Sequence, residues 1–203
     1  MKLYDAGRAP NPRRVHIFLA EKGIEVPREQ IDIMKKEHLT DAFAAINPVQ
    51  RVPALVLDDG TPIVESIAIC RYFEELQPDP PLFGTGALER AQVEMWQRIV
   101  ELYLLNRVAS VFRHLHPAMA ELETPQVPAW GEANRAKLTE TFAMLERQLA
   151  GKPFICGDTF TVADITGLVA MDFMKPAKLA IPPEFTNIRG WHERLAARPS
   201  ARH

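Results

Sequence analysis

The 203-residue sequence holds only two cysteines, Cys70 and Cys156, far apart and outside any paired motif. That excludes a disulfide framework or a Cys-rich zinc site and makes two buried free thiols the plain reading. No apolar run approaches the roughly 18 residues that cross a bilayer, and Met1 to Pro10 (MKLYDAGRAP) lacks the apolar middle of a secretory signal, so the expected setting is cytoplasmic. Charge of one sign is not in surplus either: 24 basic residues are spread among 26 acidic ones, without the basic stripe that a nucleic acid requires. The common catalytic signatures are missing as well, with no Walker loop, no Gly-x-Ser-x-Gly elbow, no His-Glu-x-x-His and no Cys-x-x-Cys. Gly84-x-Gly86 lacks a third glycine, and His114 and His116, two apart, point to different helix faces and do not share a metal ion. Arg13-Arg14 and Lys35-Lys36 read as solvated charges.

What is present is punctuation: 17 prolines and 10 glycines in a chain of ordinary globular composition, 47% apolar and 25% charged. The first eighty or so residues alternate short apolar strands with helical stretches, the mark of an α/β unit. Lys2–Tyr4 is a first strand. Asn11-Pro12 then supplies a helix N-cap and a first-turn proline, and Val15, Phe18, Leu19 and Lys22 follow at helical spacing up to Gly23. Strands are expected at Val26–Ile33, Pro53–Leu57 and Thr61–Val64, the last two joined by the Asp59-Gly60 turn, with a short helix at Thr40–Ala45 and another carrying Ile69, Cys70, Phe73 and Leu76.

Three prolines and two glycines fall within Gln77–Gly86, which neither a helix nor a central strand tolerates. The expected organisation is an α/β domain at 1–77, a linker at 78–87 and an all-helical domain at 88–203. Trp96, Ile99, Val100, Tyr103, Leu104, Val108, Val111, Phe112 and Leu115 predict one long amphipathic helix broken at Pro117, and Leu138, Phe142, Leu145 and Leu149 a second, ended by Gly151. Thr161 and Asp164 stand at capping-box spacing between Phe160 and Ile165, a folding signal rather than a catalytic one.

A set of motifs in order resembles the cytosolic glutathione S-transferase family across essentially the whole chain: Ala9-Pro10-Asn11-Pro12-Arg13-Arg14-Val15, Ile46-Asn47-Pro48, Arg51-Val52-Pro53-Ala54-Leu55, Glu65-Ser66-Ile67-Ala68-Ile69, the proline-rich linker, and Gly157-Asp158 through Ala163-Asp164. Among subgroups the sequence is most similar to bacterial enzymes related to the theta and nu classes. The resemblance implies a thioredoxin-like N-terminal domain (βαβαββα), an all-α C-terminal bundle, a homodimer, glutathione as co-substrate, and no metal.

It also implies roles for single residues. Pro53 matches the family's cis-proline, which turns the backbone of Val52 toward the cysteinyl part of glutathione. Glu65 and Ser66 match the pair that holds the γ-glutamyl end, and His38 and Arg51 match the residues that hold the glycyl carboxylate. The other reading of His38 is a solvated loop histidine. The nucleophile is then the glutathione thiolate, favoured by a donor near the sulfur. Asn11 fits that requirement, because as an N-cap its oxygen takes a backbone N–H while its NH2 donates to sulfur. A plain cap is the structural alternative, and one asparagine can serve both purposes.

One departure matters. Relatives place Ser, Thr or Cys where this chain has Ala9, so thiolate stabilisation rests on Asn11, the backbone N–H groups at the helix start, and Arg8 or Arg13. Tyr4 is not equated with the catalytic tyrosine of other classes. Conjugation to an electrophile and glutathione-dependent disulfide or peroxide reduction both stay open. So does a non-catalytic module that holds glutathione or a protein, and, more weakly, a redox protein using its own cysteine. The second substrate is expected between the domains, with Tyr103, Arg107 and Arg113 as candidates, although periodicity equally makes Tyr103 a core residue.

Overall fold

A computed structural model describes residues 1–7 and 9–203 of the chain. They divide into two compact units: residues 1–82 together with 200–203, and residues 83–199. Arg8 lies outside the described residues.

The first unit runs β1 (Lys2–Asp5), α1 (Pro10–Lys22), β2 (Arg28–Gln30), α2 (Asp41–Ala44), β3 (Ala54–Val56), β4 (Pro62–Val64) and α3 (Ser66–Leu76), the βαβαββα order of a thioredoxin-like domain. The sheet order is β2-β1-β3-β4, with β1 parallel to β2 and antiparallel to β3, and β3 antiparallel to β4. Side chains alternate across it. Tyr4, Ala54 and Val64 lie in register on one face and pack with Phe43 of α2 and Val52. Leu3 and Leu55, also in register, are fully buried on the opposite face; α3 packs on β3 and β4 and against α1, and Phe18, Ile69 and Phe73 of these helices are buried.

Two local expectations are corrected by this geometry. The helix α1 starts at Pro10, with Ala9 as its N-cap, so Asn11 is the second helical residue and caps nothing. The reason is Pro10: it favours the first helical position and pushes the preceding residue out of the α region, and Ala9 accordingly has φ −62° and ψ 144°. Pro12 is tolerated because first-turn N–H groups lack intrahelical partners. The expected strand at 26–33 shortens to three exposed residues, because the Asp32 carboxylate accepts the N–H groups of Met34 and Lys35 and turns the chain away. At the other end of α1, Gly23 adopts φ 66° and the Ile24 N–H reaches back to the Leu19 carbonyl at 2.9 Å, closing the helix.

The proline-rich segment is tied down where it leaves this unit. The buried ammonium of Lys22 lies 2.6 Å from Glu74 Oε2 and donates to the carbonyls of Gln77 (2.7 Å) and Pro80 (2.6 Å). Gln77 Nε2 donates in return to the Lys22 carbonyl at 2.6 Å. The last residues, which the sequence assigns to the helical part, return to α1: Arg13 donates to the carbonyls of Ala201 (2.9 Å) and His203 (3.1 Å), and Ser200 Oγ to Glu21.

The second unit is helical: α4 (Gly86–Val100), α5 (Asn106–Leu115), α6 (Pro128–Gln148), α7 (Val162–Phe173) and α8 (Thr186–Ala196). Between α4 and α5 the expected single helix contains a π turn, Glu101–Leu105, in which the Asn106 N–H bonds to the Glu101 carbonyl. Such a turn admits one extra residue and rotates the helix phase. Tyr103 is therefore 48% exposed instead of core, while Leu104 and Leu105 are buried. The central helix is α7, with Val162–Met171 buried throughout. Its start carries the expected capping box of Thr161 and Asp164. Asp164 also accepts from the Ile155 N–H and the Trp191 indole, each at 2.9 Å. Burial pushes its pKa up to about 6, and those donors oppose the rise. His114 and His116 each accept a backbone N–H at Nδ1, from Val127 and Ala118, and so clip the α5–α6 loop.

Candidate functional site

Register places three chain junctions at one end of the first unit's sheet. The end of β1 leads into α1, Val52–Pro53 leads into β3, and Glu65–Ser66 leaves β4; Tyr4, Ala54 and Val64 pair across the strands at that end. The Val52–Pro53 peptide is cis, and Val52 stands ahead of the first ladder pair, which begins at Ala54. Asn47, buried and two residues into the Ile46-Asn47-Pro48 motif, holds this approach: its Nδ2 donates to the Arg51 carbonyl at 2.6 Å and its Oδ1 accepts from the Val49 N–H at 3.0 Å.

Ser66 is the first residue of α3, 2% exposed, and its Oγ has no hydrogen-bond partner among the described residues. A buried hydroxyl left unpaired is uncommon, and at a helix N-terminus it faces an environment that suits an anion. Glu65 precedes it with φ 68° and an exposed side chain, an unusual backbone for a non-glycine residue.

His38 is 5% exposed, which removes the solvated-loop reading, and its Nδ1 also lacks a partner among the described residues. Burial, and secondarily the charge of Arg51, lowers its pKa below the ordinary histidine value. A neutral imidazole nitrogen beside an exposed guanidinium is a hydrogen-bonding pair suited to a carboxylate.

At the α1 end, Asn11 Oδ1 accepts from Arg14 Nη2 at 2.8 Å, and Nδ2 has no partner among the described residues. Arg14 is 3% exposed, so it is not the solvated charge that the sequence suggests. Its three-residue spacing from Asn11 on a helix was the available signal. Arg13 is engaged with the chain's last residues. The first turn of α1 contains no acidic residue.

Tyr103, Arg107 and Arg113 belong to the second unit. Arg107 Nη1 donates to the Lys137 carbonyl (2.8 Å) and to Thr141 Oγ1 (2.5 Å), with its guanidinium 5.3 Å from the centre of the Tyr103 ring. Thr141 Oγ1 donates on to the Tyr103 carbonyl at 2.9 Å, satisfying a backbone acceptor in the π turn. Arg113 lies 3.8 Å from Glu123. Burial raises the Cys70 thiol to about 12 and the Cys156 thiol to about 11, so neither offers a thiolate of its own at neutral pH. No group of three or more His, Cys, Asp or Glu side chains stands together as a metal site among the described residues.

Residues 9–76 match the family model for the glutathione S-transferase N-terminal domain, and residues 117–199 match that for the C-terminal domain. Glutathione S-transferase 2 of Saccharomyces cerevisiae is 37% identical over 100% of this chain and 88% of its own length. Glutathione S-transferase GstA of Escherichia coli O157:H7 is 31% identical over 91% of this chain and 87% of its own. The crystal structure of a glutathione S-transferase domain-containing protein from Marinobacter aquaeolei VT8 superposes with a TM-score of 0.95 at 41% identity, covering 98% of this chain and 99% of that one.

Proposed function

Because this chain belongs to the glutathione S-transferase family, we propose that the sheet-end cluster of its first unit is where glutathione binds and where its thiol is activated. The protein is a glutathione transferase, an enzyme with glutathione as co-substrate. The observation that carries the site is the buried, unpartnered Ser66 hydroxyl on the first turn of α3. It receives the γ-glutamyl carboxylate together with the helix N-terminus, while exposed Glu65 meets the ammonium. Val52, ahead of the ladder, offers its backbone N–H and C=O to the cysteinyl unit in the manner of an added strand. His38 and Arg51 take the glycyl carboxylate.

Asn11 is the catalytic residue in this reading. Its free NH2 donates to the sulfur and stabilises the thiolate, with the N–H groups at the start of α1 adding positive potential. Ala9 supplies no hydroxyl. Residues 1–77, joined by the returning 200–203, form the glutathione-binding domain, 78–87 the linker running into α4, and 88–199 the helical domain, where Tyr103, Arg107 and Arg113 take the second substrate. The half-exposed Tyr103 ring with Arg107 over it suits an aromatic or anionic group.

The assembly is a homodimer. Exposed Leu88 (74%) and Met95 (49%), seven residues apart on α4, form an apolar row that supports this. Two unpaired thiols and dependence on reduced glutathione support a cytoplasmic setting.

The test combines binding with kinetics. Wild type is retained on immobilised glutathione and shows thiolate absorbance from bound glutathione at neutral pH. Conjugation of an aryl halide, disulfide reduction and hydroperoxide reduction are then compared in wild type and Asn11→Ala. Activity that survives the substitution in every assay removes Asn11 as the thiolate donor.

A further inference from the structure

We propose that Arg14 is a positioning residue for the thiol: it fixes the orientation of the Asn11 amide and strengthens its donor. The inference rests on the reading of Asn11 as the thiolate donor. An asparagine amide has an accepting oxygen and a donating NH2, and a 180° flip exchanges them. A guanidinium has only donors, so its approach at 2.8 Å permits one orientation: Oδ1 toward Arg14 and Nδ2 away from it.

The contact is built rather than incidental. Arg14 lies three residues after Asn11 on α1 and is 3% exposed. A buried guanidinium is ordered by its surroundings instead of sampling solvent, and its charge also reaches the Cys70 thiol on α3. Asn11 itself is only half buried. The arrangement therefore runs from a fixed buried cation, through an amide, to an outward-facing NH2 with no other partner among the described residues.

Two effects follow for an anion at that NH2. Orientation is settled before the ligand arrives, so binding need not order the side chain. A charged donor on Oδ1 also polarises the amide, and hydrogen bonds in series strengthen one another. Arg14 acts on the sulfur through Asn11 and needs no contact with it. This arrangement supplies locally what a hydroxyl at position 9 would otherwise provide.

The experiment is a double-mutant cycle read as the pKa of the bound glutathione thiol, followed by thiolate absorbance against pH in the full-length protein. Asn11→Ala and Arg14→Met each raise that pKa by about one unit, a tenfold fall in the thiolate-to-thiol ratio at a given pH. The double variant raises it no further. Arg14→Lys, which keeps a cation and a donor, stays closer to wild type than Arg14→Met.

Additive shifts in the double variant overturn the proposal, since Arg14 would then act independently of Asn11. So does an unchanged pKa in Arg14→Met when Asn11→Ala raises it, and that result leaves the role of Asn11 intact. An unchanged pKa in Asn11→Ala removes the reading of Asn11 and this inference with it. If Arg14→Met does not fold, Asn11→Asp probes the same contact from the other side. The carboxylate meets the guanidinium and keeps the Tm at or above that of Asn11→Ala, yet lacks the donor, so the thiol pKa rises. A Tm below that of Asn11→Ala, or a thiol pKa equal to wild type, overturns the proposal.

Discussion

The ring of Trp191 closes over the one helical position in α7 that has no side chain: a Cβ built on Gly167 would lie 2.5 Å from Trp191 Cη2 and 2.9 Å from Cζ2. Both residues are fully buried, and the indole N–H is fixed by Asp164 at 2.9 Å.

Gly167→Ala is therefore expected to destabilise the protein, although alanine is the better helix former by about 1 kcal/mol. The indole cannot retreat without breaking its bond to Asp164, and overpacking of this kind costs about 1–3 kcal/mol. Urea unfolding measures it; a stabilised Gly167→Ala would mean that the ring moves freely.

Asp164 makes stability depend on pH in an unusual direction. Its folded pKa of about 6 lies above the ordinary carboxylate value of 3.8, so the folded state binds the proton more tightly than the unfolded state. The contribution is fully present below the unfolded pKa and is lost as pH rises through about 6. Asp164→Asn should remove this falling component between about pH 4 and 6 while lowering stability throughout, because an amide cannot accept from all of the donors that the carboxylate serves. Chemical denaturation of both proteins across that range measures the slopes.

Asp5 works in the opposite sense. Burial, the largest single influence, raises its pKa, but His16, Gln30 and the Ala6 backbone N–H together outweigh it and the net shift is downward. His16 Nε2 is 2.9 Å from Asp5 Oδ2, and Gln30 Nε2 donates to the same oxygen at 3.0 Å. That stability is present above the unfolded pKa and disappears as pH falls through the folded one. Asp5→Asn should show a shallower loss of Tm on acidification below about pH 4 than wild type.

Lys22→Met removes the cationic half of a buried ion pair with Glu74, and should cost about 3–5 kcal/mol. The double variant Lys22→Met/Glu74→Met should recover most of that loss in unfolding experiments. It should not recover the bonds to Gln77 and Pro80, so hydrogen exchange at the start of the linker stays faster than in wild type.

On the proposal that the Ser66 hydroxyl holds the γ-glutamyl end, Ser66→Ala should raise the KM for glutathione by about tenfold, with kcat changed less. Free of ligand, the variant should be as stable as wild type or more so, since it removes a buried polar atom that has no partner. A large stability loss would mean that Ser66 supports the fold.

The strand–helix order and the capping box are legible in the sequence because each depends on local pattern: strand period and a Thr-x-x-Asp spacing. The start of α1 is not, since Asn-Pro and Ala-Pro both look like helix openings and only the backbone shows which proline leads. Nor is the exposure of Tyr103, because a π turn leaves no mark in the apolar periodicity, and the partner of the Tyr103 carbonyl within it, Thr141, is 38 residues away. Arg14 reads as solvated because charge, seen without its packing, implies solvent. At the site, family motifs point to Ser66 and Val52, whereas the unpartnered state of the Ser66 hydroxyl exists only in three dimensions.

The return of Ser200–His203 to α1 also bears on how the protein is made. Arg13 leaves the ribosome early, yet the carbonyls it binds are 188 and 190 residues further along the chain. The sheet and its covering helices consist of contacts available once about the first eighty residues are out, so they can assemble while synthesis continues. Their tie to Ala201 and His203 waits until that segment has been made, leaving the helix that carries Asn11 without its Arg13 bonds until then. A nascent chain stalled after the first unit should thus hold native secondary structure while its α1 amides exchange faster than in the finished protein.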